Sequence, residues 1–169
     1  MFLAFDSYYF NGQARTVALA FEHWEDEAPM QLFSELTEAP ADYEPGSFYK
    51  RELPCILSLL KQVDINQLSC IIVDGYAILD DQGKPGLGGH LYEALNQKIP
   101  VIGVAKSDFR SLALGKIAVL RGESKNPLFV SASGMEVQEA ADCIRKMHGP
   151  YRIPTLLSLL DQATKHGLK

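Results

Sequence analysis

The chain has 169 residues, 47% hydrophobic and 22% charged, with a formal net charge of −5, which fits one globular domain over residues 1–169 and excludes long disorder. The acidic balance argues against a broad basic surface for nucleic acid, although clustered carboxylates can carry part of it and leave a local groove basic. No apolar run reaches the ~18 residues of a membrane-spanning helix, and the start, MFLAFDSYYF, lacks a basic region and meets an acid at position 6, so it reads as a strand rather than a signal peptide, with the cytoplasm as the expected compartment and no membrane partner.

Residues 2–6 (FLAFD) form an apolar run ending on Asp6, while 15–22 (RTVALAFE) and 30–36 (MQLFSEL) alternate in part. Asn11-Gly12 and the acidic stretch 25–28 separate these segments, as expected of antiparallel hairpins. Residues 37–46 (TEAPADYEPG) hold two prolines and a glycine and read as a loop. Leu53, Ile56, Leu57, Leu60 and Val63 then fall at helical spacing, with Ser47 as the expected N-cap and Pro54 placed near a first turn or a kink. Residues 69–74 (SCIIVD) read as a strand in the buried centre of a sheet. Gly86-Leu87-Gly88-Gly89 leads into a helix carrying Leu91, Ala94 and Leu95, and 100–105 (PVIGVA) is a second buried strand. Extended segments follow near 116–121 and 127–131. Val137, Ala140, Ala141 and Ile144 mark a helix over 136–148, which Pro150 ends, and an amphipathic helix covers 155–166. The order predicts one α/β domain with a mixed sheet, an antiparallel hairpin unit followed by right-handed parallel crossovers flanked by helices. That is the ribonuclease H-like pattern.

Acids seldom lie within or directly after apolar strands unless they are paired or bind a cation. Asp6 and Asp74 both do, and ligands of open α/β sheets gather beyond the carboxyl ends of the strands. If the first and fourth strands are neighbours, these carboxylates converge, and Glu52, near the start of the intervening helix, can reach the same point. Three such groups repel one another unless a hard cation binds them, and Mg²⁺ with carboxylate, water and phosphate ligands suits phosphodiester hydrolysis. A turn-forming role for each aspartate stands beside this reading. The glycines before His90 could cradle a phosphate at a helix start, which also leaves open a small nucleotide-binding domain. Lys84, Arg110, Lys116, Arg121 and Lys125 could line a phosphate groove or be scattered solvated charges. Cys55, Cys70 and Cys143 lack metal-ligand spacing and read as buried reduced thiols.

Several segments together resemble the endonuclease V family. They are Tyr43-Glu44-Pro45-Gly46 through Phe48-Tyr49-Lys50-Arg51-Glu52, then Val73-Asp74-Gly75, then Ile102-Gly103-Val104-Ala105-Lys106-Ser107, then Asn126-Pro127-Leu128-Phe129-Val130 and Tyr151-Arg152-Ile153-Pro154. The resemblance implies a ribonuclease H-like endonuclease that cuts DNA or RNA 3′ to deaminated adenine (inosine), acting as a monomer with Mg²⁺, or Mn²⁺ as its substitute. It implies Asp6, Glu52 and Asp74 as metal ligands and catalytic groups, and Lys106 beside the scissile phosphate. Tyr43, Pro45 and Gly46 would form a loop that wedges into nucleic acid, with Gly88, Gly89 and His90 as a further contact. Tyr76 and Asp80 occupy places where the family usually carries histidine. Their presence motivates an alternative, a nucleic-acid-binding or interaction protein that keeps the fold without cleavage.

Overall fold

The computed structural model describes residues 1–39 and 48–168. Three antiparallel strands come first: β1 (Phe2–Phe10), β2 (Gln13–Phe21) and β3 (Gln31–Glu38). Asn11 (φ 49°) and Gly12 (φ 73°) form the two-residue hairpin between β1 and β2, a left-handed pair that Asn-Gly adopts readily. Next come α1 (Tyr49–Leu60), β4 (Cys70–Asp74), α2 (Leu87–Ala94), β5 (Val101–Ala105), β6 (Ile117–Val119), β7 (Leu128–Ser133), α3 (Val137–Lys146) and α4 (Thr155–His166). The strands form one sheet in the order β3-β2-β1-β4-β5-β7-β6. β1, β4 and β5 run parallel, and β7 and β6 add antiparallel pairs at the far edge. This is the mixed, helix-flanked ribonuclease H-like sheet that the element order predicts.

Several boundaries differ from the sequence expectation, and β3 runs to Glu38, into the segment read as a loop. β1 runs four residues beyond Asp6, because β2 stays paired with it as far as Phe10↔Gln13. Its parallel pairing with β4 stops at Phe5↔Val73, one residue before both aspartates. Helix α1 starts at Tyr49, and Pro54 lies inside it. The expected cap, Ser47, lies outside the described residues.

Side chains alternate across a strand with period two. On one face, Leu3, Phe5, Ile71, Val73 and Val101 pack with Ile56 and Leu59 of α1 and Leu91 of α2. On the other, Ala4, Ile72, Ile102 and Val104 pack with Ala140 and Ile144 of α3 and Leu156 and Leu160 of α4. That phase fixes the site. Asp6 follows Ala4, Asp74 follows Ile72 and Lys106 follows Val104, each by two residues, so all three project to the α4 side. Among the described residues no helix is long and apolar enough to cross a membrane.

Candidate active site

Gly75 ends β4 at φ 125°, a conformation that an L side chain strains to adopt, and donates its N–H to the Val104 carbonyl at 2.9 Å. The turn lets the chain leave the sheet directly beneath Asp74. Asp6, Asp74 and Lys106 then share a small cavity with Ile153, Pro154 and Asp161. Asp6 and Asp74 also line an adjoining cavity of about 270 Å³ with Ser7, Tyr9, Phe48, Arg51 and Glu52. Glu52 enters from α1, across the end of the sheet, and is only 7% exposed.

Burial, then the neighbouring Asp74, pushes the Asp6 carboxyl up to about 7, with the Ser7 N–H and Lys106 opposing and Asp161 adding. Glu52 is also raised to about 7. Burial leads, hydrogen bonds from Tyr9 and Ser7 oppose it, and Asp6 and Asp74 add to it. Asp74 reaches solvent at the cavity mouth, and the protein around it still raises its carboxyl, with Lys106 opposing. The carboxylates carry more negative charge than Lys106 neutralises. Among the described residues no three His, Cys, Asp or Glu side chains stand close enough to hold one metal ion. The sheet explains this: Asp6 and Asp74 face α4, whereas Glu52 approaches from the α1 face.

The other residues singled out in the sequence fall in varied places. Tyr43, Pro45 and Gly46 lie outside the described residues. Gly88 and Gly89 do not form a phosphate cradle. A side chain at Gly88 would come within 2.8 Å of the Ala77 Cα, and one at Gly89 within 2.6 Å of the Ala77 carbonyl oxygen. Their N–H groups already donate to the Tyr76 and Ala77 carbonyls, so they pack α2 onto the loop that follows Asp74. His90 stacks on Tyr49 of α1 at a ring separation of 3.6 Å, and burial lowers its pKa. Asp80 accepts from the Gln82 and Lys84 N–H groups in a surface turn. Arg121 is 6% exposed and donates to the Met147, Gly149, Tyr151 and Arg152 carbonyls. Lys116 pairs with Asp108. Neither cation is free to line a groove.

Sequence reasoning missed Asp161. Its signal was an acid on the apolar stripe of α4, beside Leu157 and Leu160, where a solvated carboxylate is out of place. It accepts from Lys165 at 3.0 Å. Also missed was the tethering of the chain around Lys106 by Tyr76 and Arg152.

A ribonuclease H-like sheet that gathers aspartates and a lysine where the pairing of its parallel strands ends has the architecture of a nuclease domain. The sequence model for endonuclease V matches residues 3–116, and the chain belongs to the endonuclease V family, a family of nucleases. Similar solved structures include endonuclease V of Ciona intestinalis in complex with a 24mer DNA containing an inosine followed by a ribo-adenosine. It is 20% identical, with 97% of this chain and 84% of that one covered and a TM-score of 0.79. Human endonuclease V is 21% identical over 97% and 82%, with a TM-score of 0.71. Argonaute of Marinitoga piezophila, in complex with a guide RNA and target DNA, is 9% identical over 96% and 29%, with a TM-score of 0.53. At these identities the likeness is one of fold. No curated protein sequence matches the chain.

Proposed function

We propose that the protein is a Mg²⁺-dependent endonuclease that cuts the phosphodiester bond 3′ to deaminated adenine (inosine) in DNA or RNA, as a cytoplasmic monomer. The observation that carries the reading is the placement of Asp6 and Asp74 side by side on one face, where the parallel pairing of β1 and β4 ends, with Lys106 and Asp161 around them. Family membership and the inosine-containing DNA held by the Ciona enzyme support the substrate class.

The donor set suits a hard cation. It consists of carboxylate oxygens, and the burial and then the crowding by Asp74 that raise the Asp6 carboxyl are what a divalent ion relieves. With no protein trio at coordinating range, Asp6 and Asp74 would hold the ion, and water and substrate phosphate would complete its shell, as is usual for Mg²⁺. Bound there, Mg²⁺ supplies Lewis-acid stabilisation of the phosphate charge and a more acidic water. Lys106 presents a point charge to a phosphate oxygen. Glu52, raised to about 7, can hold or accept a proton at its carboxyl near neutral pH. The segment of Tyr43, Pro45 and Gly46 would grip the strand beside the lesion.

The test is cleavage of inosine-containing single-stranded and duplex DNA and RNA with Mg²⁺ or Mn²⁺. The wild type cuts at least one of them 3′ to the lesion and Asp74→Asn does not; no cutting by clean wild-type protein overturns the reading. Tyr76, standing where the family usually has histidine, favours a second reading in which the chain binds such strands without cutting them. That protein would show salt-sensitive binding and no metal-dependent product.

A further inference from the structure

We infer that Tyr76 and Arg152 are positioning residues that clamp the backbone on either side of the Lys106 side chain and thereby hold its ammonium against Asp6 and Asp74. The inference rests on the nuclease reading for its consequence and on hydrogen-bond geometry for its substance. β5 ends at Ala105, so Lys106 is the first residue beyond the sheet ladder. A lysine there has a flexible four-carbon stem on a backbone with no strand partner, and a loose anchor would spread its charge over a wide volume.

Two donors remove that freedom. The Arg152 guanidinium donates through Nη2 to the Lys106 carbonyl at 2.5 Å and to the Pro127 carbonyl at 2.8 Å, and through Nε to the Asn126 carbonyl at 2.9 Å. One planar group thus ties the end of β5 to the start of β7. From the opposite side the Tyr76 hydroxyl donates to the Ser107 carbonyl at 2.6 Å. Each donor is coupled to an acid of the site. Tyr76 lies two residues after Asp74, and Arg152 precedes Ile153 and Pro154, which line the Asp6–Asp74–Lys106 cavity and lead into the helix of Asp161. Arg152 is itself anchored, since buried Arg121 donates to the Tyr151 carbonyl at 2.7 Å and the Arg152 carbonyl at 3.4 Å. The chain from Arg121 through Arg152 to Lys106 therefore transmits the rigidity of the core to the lysine. Lys106 lines the same cavity as Asp6 and Asp74, which is where the clamp would put it. Tyr76 acquires a role of its own at a position where the family usually carries histidine: its phenol holds a carbonyl that an imidazole at that place would have to reach differently.

The experiment is a double-mutant cycle on strand cleavage with Tyr76→Phe, Arg152→Ala, Arg152→Lys and Lys106→Ala, each checked for an unchanged melting curve. Tyr76→Phe removes one oxygen and keeps the ring, so it tests the clamp without emptying the core. Lys106→Ala lowers kcat on the order of 100-fold, and Tyr76→Phe and Arg152→Ala each lower it on the order of tenfold through misplacement, with KM little changed. In the Lys106→Ala background both effects vanish. Additive losses in that background overturn the clamp, as does full activity of Arg152→Lys, which would mark the arginine as a simple charge. A second readout needs no cleavage. The lysines are ¹³C-methylated reductively, and the Lys106 methyl resonance is assigned with Lys106→Arg. In the wild type this resonance moves on Asp74→Asn; in Tyr76→Phe and Arg152→Ala it sits with the exposed lysines and no longer responds. An unmoved resonance in both variants overturns the clamp even if no substrate is ever cut. Lack of cleavage together with an intact resonance pattern in the wild type counts against the nuclease reading alone.

Discussion

The two ends of the parallel strands are built to opposite rules. Where their parallel pairing ends, β1, β4 and β5 lead into Asp6, Asp74 and Lys106 around an underneutralised cavity. At the amino ends, Phe2, Cys70 and Pro100 line a wide groove with Trp24 and Met135, and the aromatic rings close on one another. Phe2 lies 4.4 Å from Trp24 and 5.3 Å from Phe21, and Phe21 lies 5.5 Å from Trp24. One end stores charge that opposes folding, and the other supplies packing that favours it. A sheet that positions chemistry at one end thus needs its surplus of apolar contacts elsewhere.

The largest effect that sharpens the comparison is on turnover. Asp74→Asn should reduce cleavage on the order of 10³-fold, the scale of several kcal/mol of lost charge stabilisation. The same variant, having shed a crowded charge, should melt no lower than wild type in metal-free buffer. A marked loss of stability would show that Asp74 holds the fold rather than the chemistry. The amino end predicts the mirror image. Trp24→Ala should cost about 3 kcal/mol in urea unfolding by removing a large aromatic contact, with cleavage per folded molecule unchanged. If Trp24→Ala silenced cleavage while leaving stability intact, the division between the ends would fail.

The pH dependence of stability separates the ends next. Asp6 and Glu52 carry folded pKa values of about 7, above the roughly 4 of an unfolded carboxyl. A raised carboxyl favours the folded state most when protonated. That contribution is complete below about pH 4 and is lost as pH rises through about 7. In chelator-treated buffer the protein should therefore melt lower at pH 8 than at pH 5, by several degrees at roughly 2–4 °C per kcal/mol for a chain of this size. Saturating Mg²⁺ should shrink the drop, and Asp6→Asn should flatten part of it. A melting temperature that rises from pH 5 to pH 8 in the chelated protein would contradict the crowded-carboxylate picture.

Much of this was legible in the sequence, for physical reasons that also mark where legibility stops. Buried parallel strands announce themselves as short apolar runs, so β4 and β5 and the acid ending β4 were readable, and helix α4 carries its 3.6-residue period without interruption. The extent of β1 was not readable. Ser7, Tyr8 and Tyr9 break the apolar run, and only the antiparallel partner β2 shows that the strand continues. The face on which Asp6 projects was equally hidden, because the phase of alternation gains meaning only once α4 and α1 are assigned to opposite sides of the sheet. The three acids legible as a set line one cavity, with Glu52 entering from the α1 side. Gly88 and Gly89 misled for a related reason. A glycine pair at a helix start suits a phosphate and a close helix–loop contact alike, and here Ala77 fills the space.

The smallest predicted effect concerns His90, a histidine that the family resemblance marks as a nucleic-acid contact and the structure engages by stacking. Its ring lies 3.6 Å from that of Tyr49 at an interplanar angle of 19°, joining α1 to α2, and burial lowers its pKa, so it is neutral at pH 7. Removing the ring should cost about 1 kcal/mol, the usual worth of an aromatic pair, while a replacement that keeps a flat ring should cost less. His90→Ala is therefore expected to lower the urea midpoint slightly and His90→Phe to restore it, both cleaving within about twofold of wild type, a change of less than about 0.5 kcal/mol. A depressed histidine pKa stabilises the fold above its unfolded value and loses that contribution as pH falls below it, so the gap between wild type and His90→Phe should narrow at pH 7 and widen in favour of phenylalanine at pH 5. If His90→Phe instead keeps wild-type stability and binds inosine-containing strands many-fold more weakly, the imidazole reaches the nucleic acid. The α1–α2 junction then belongs to the functional end of the molecule rather than to its scaffold.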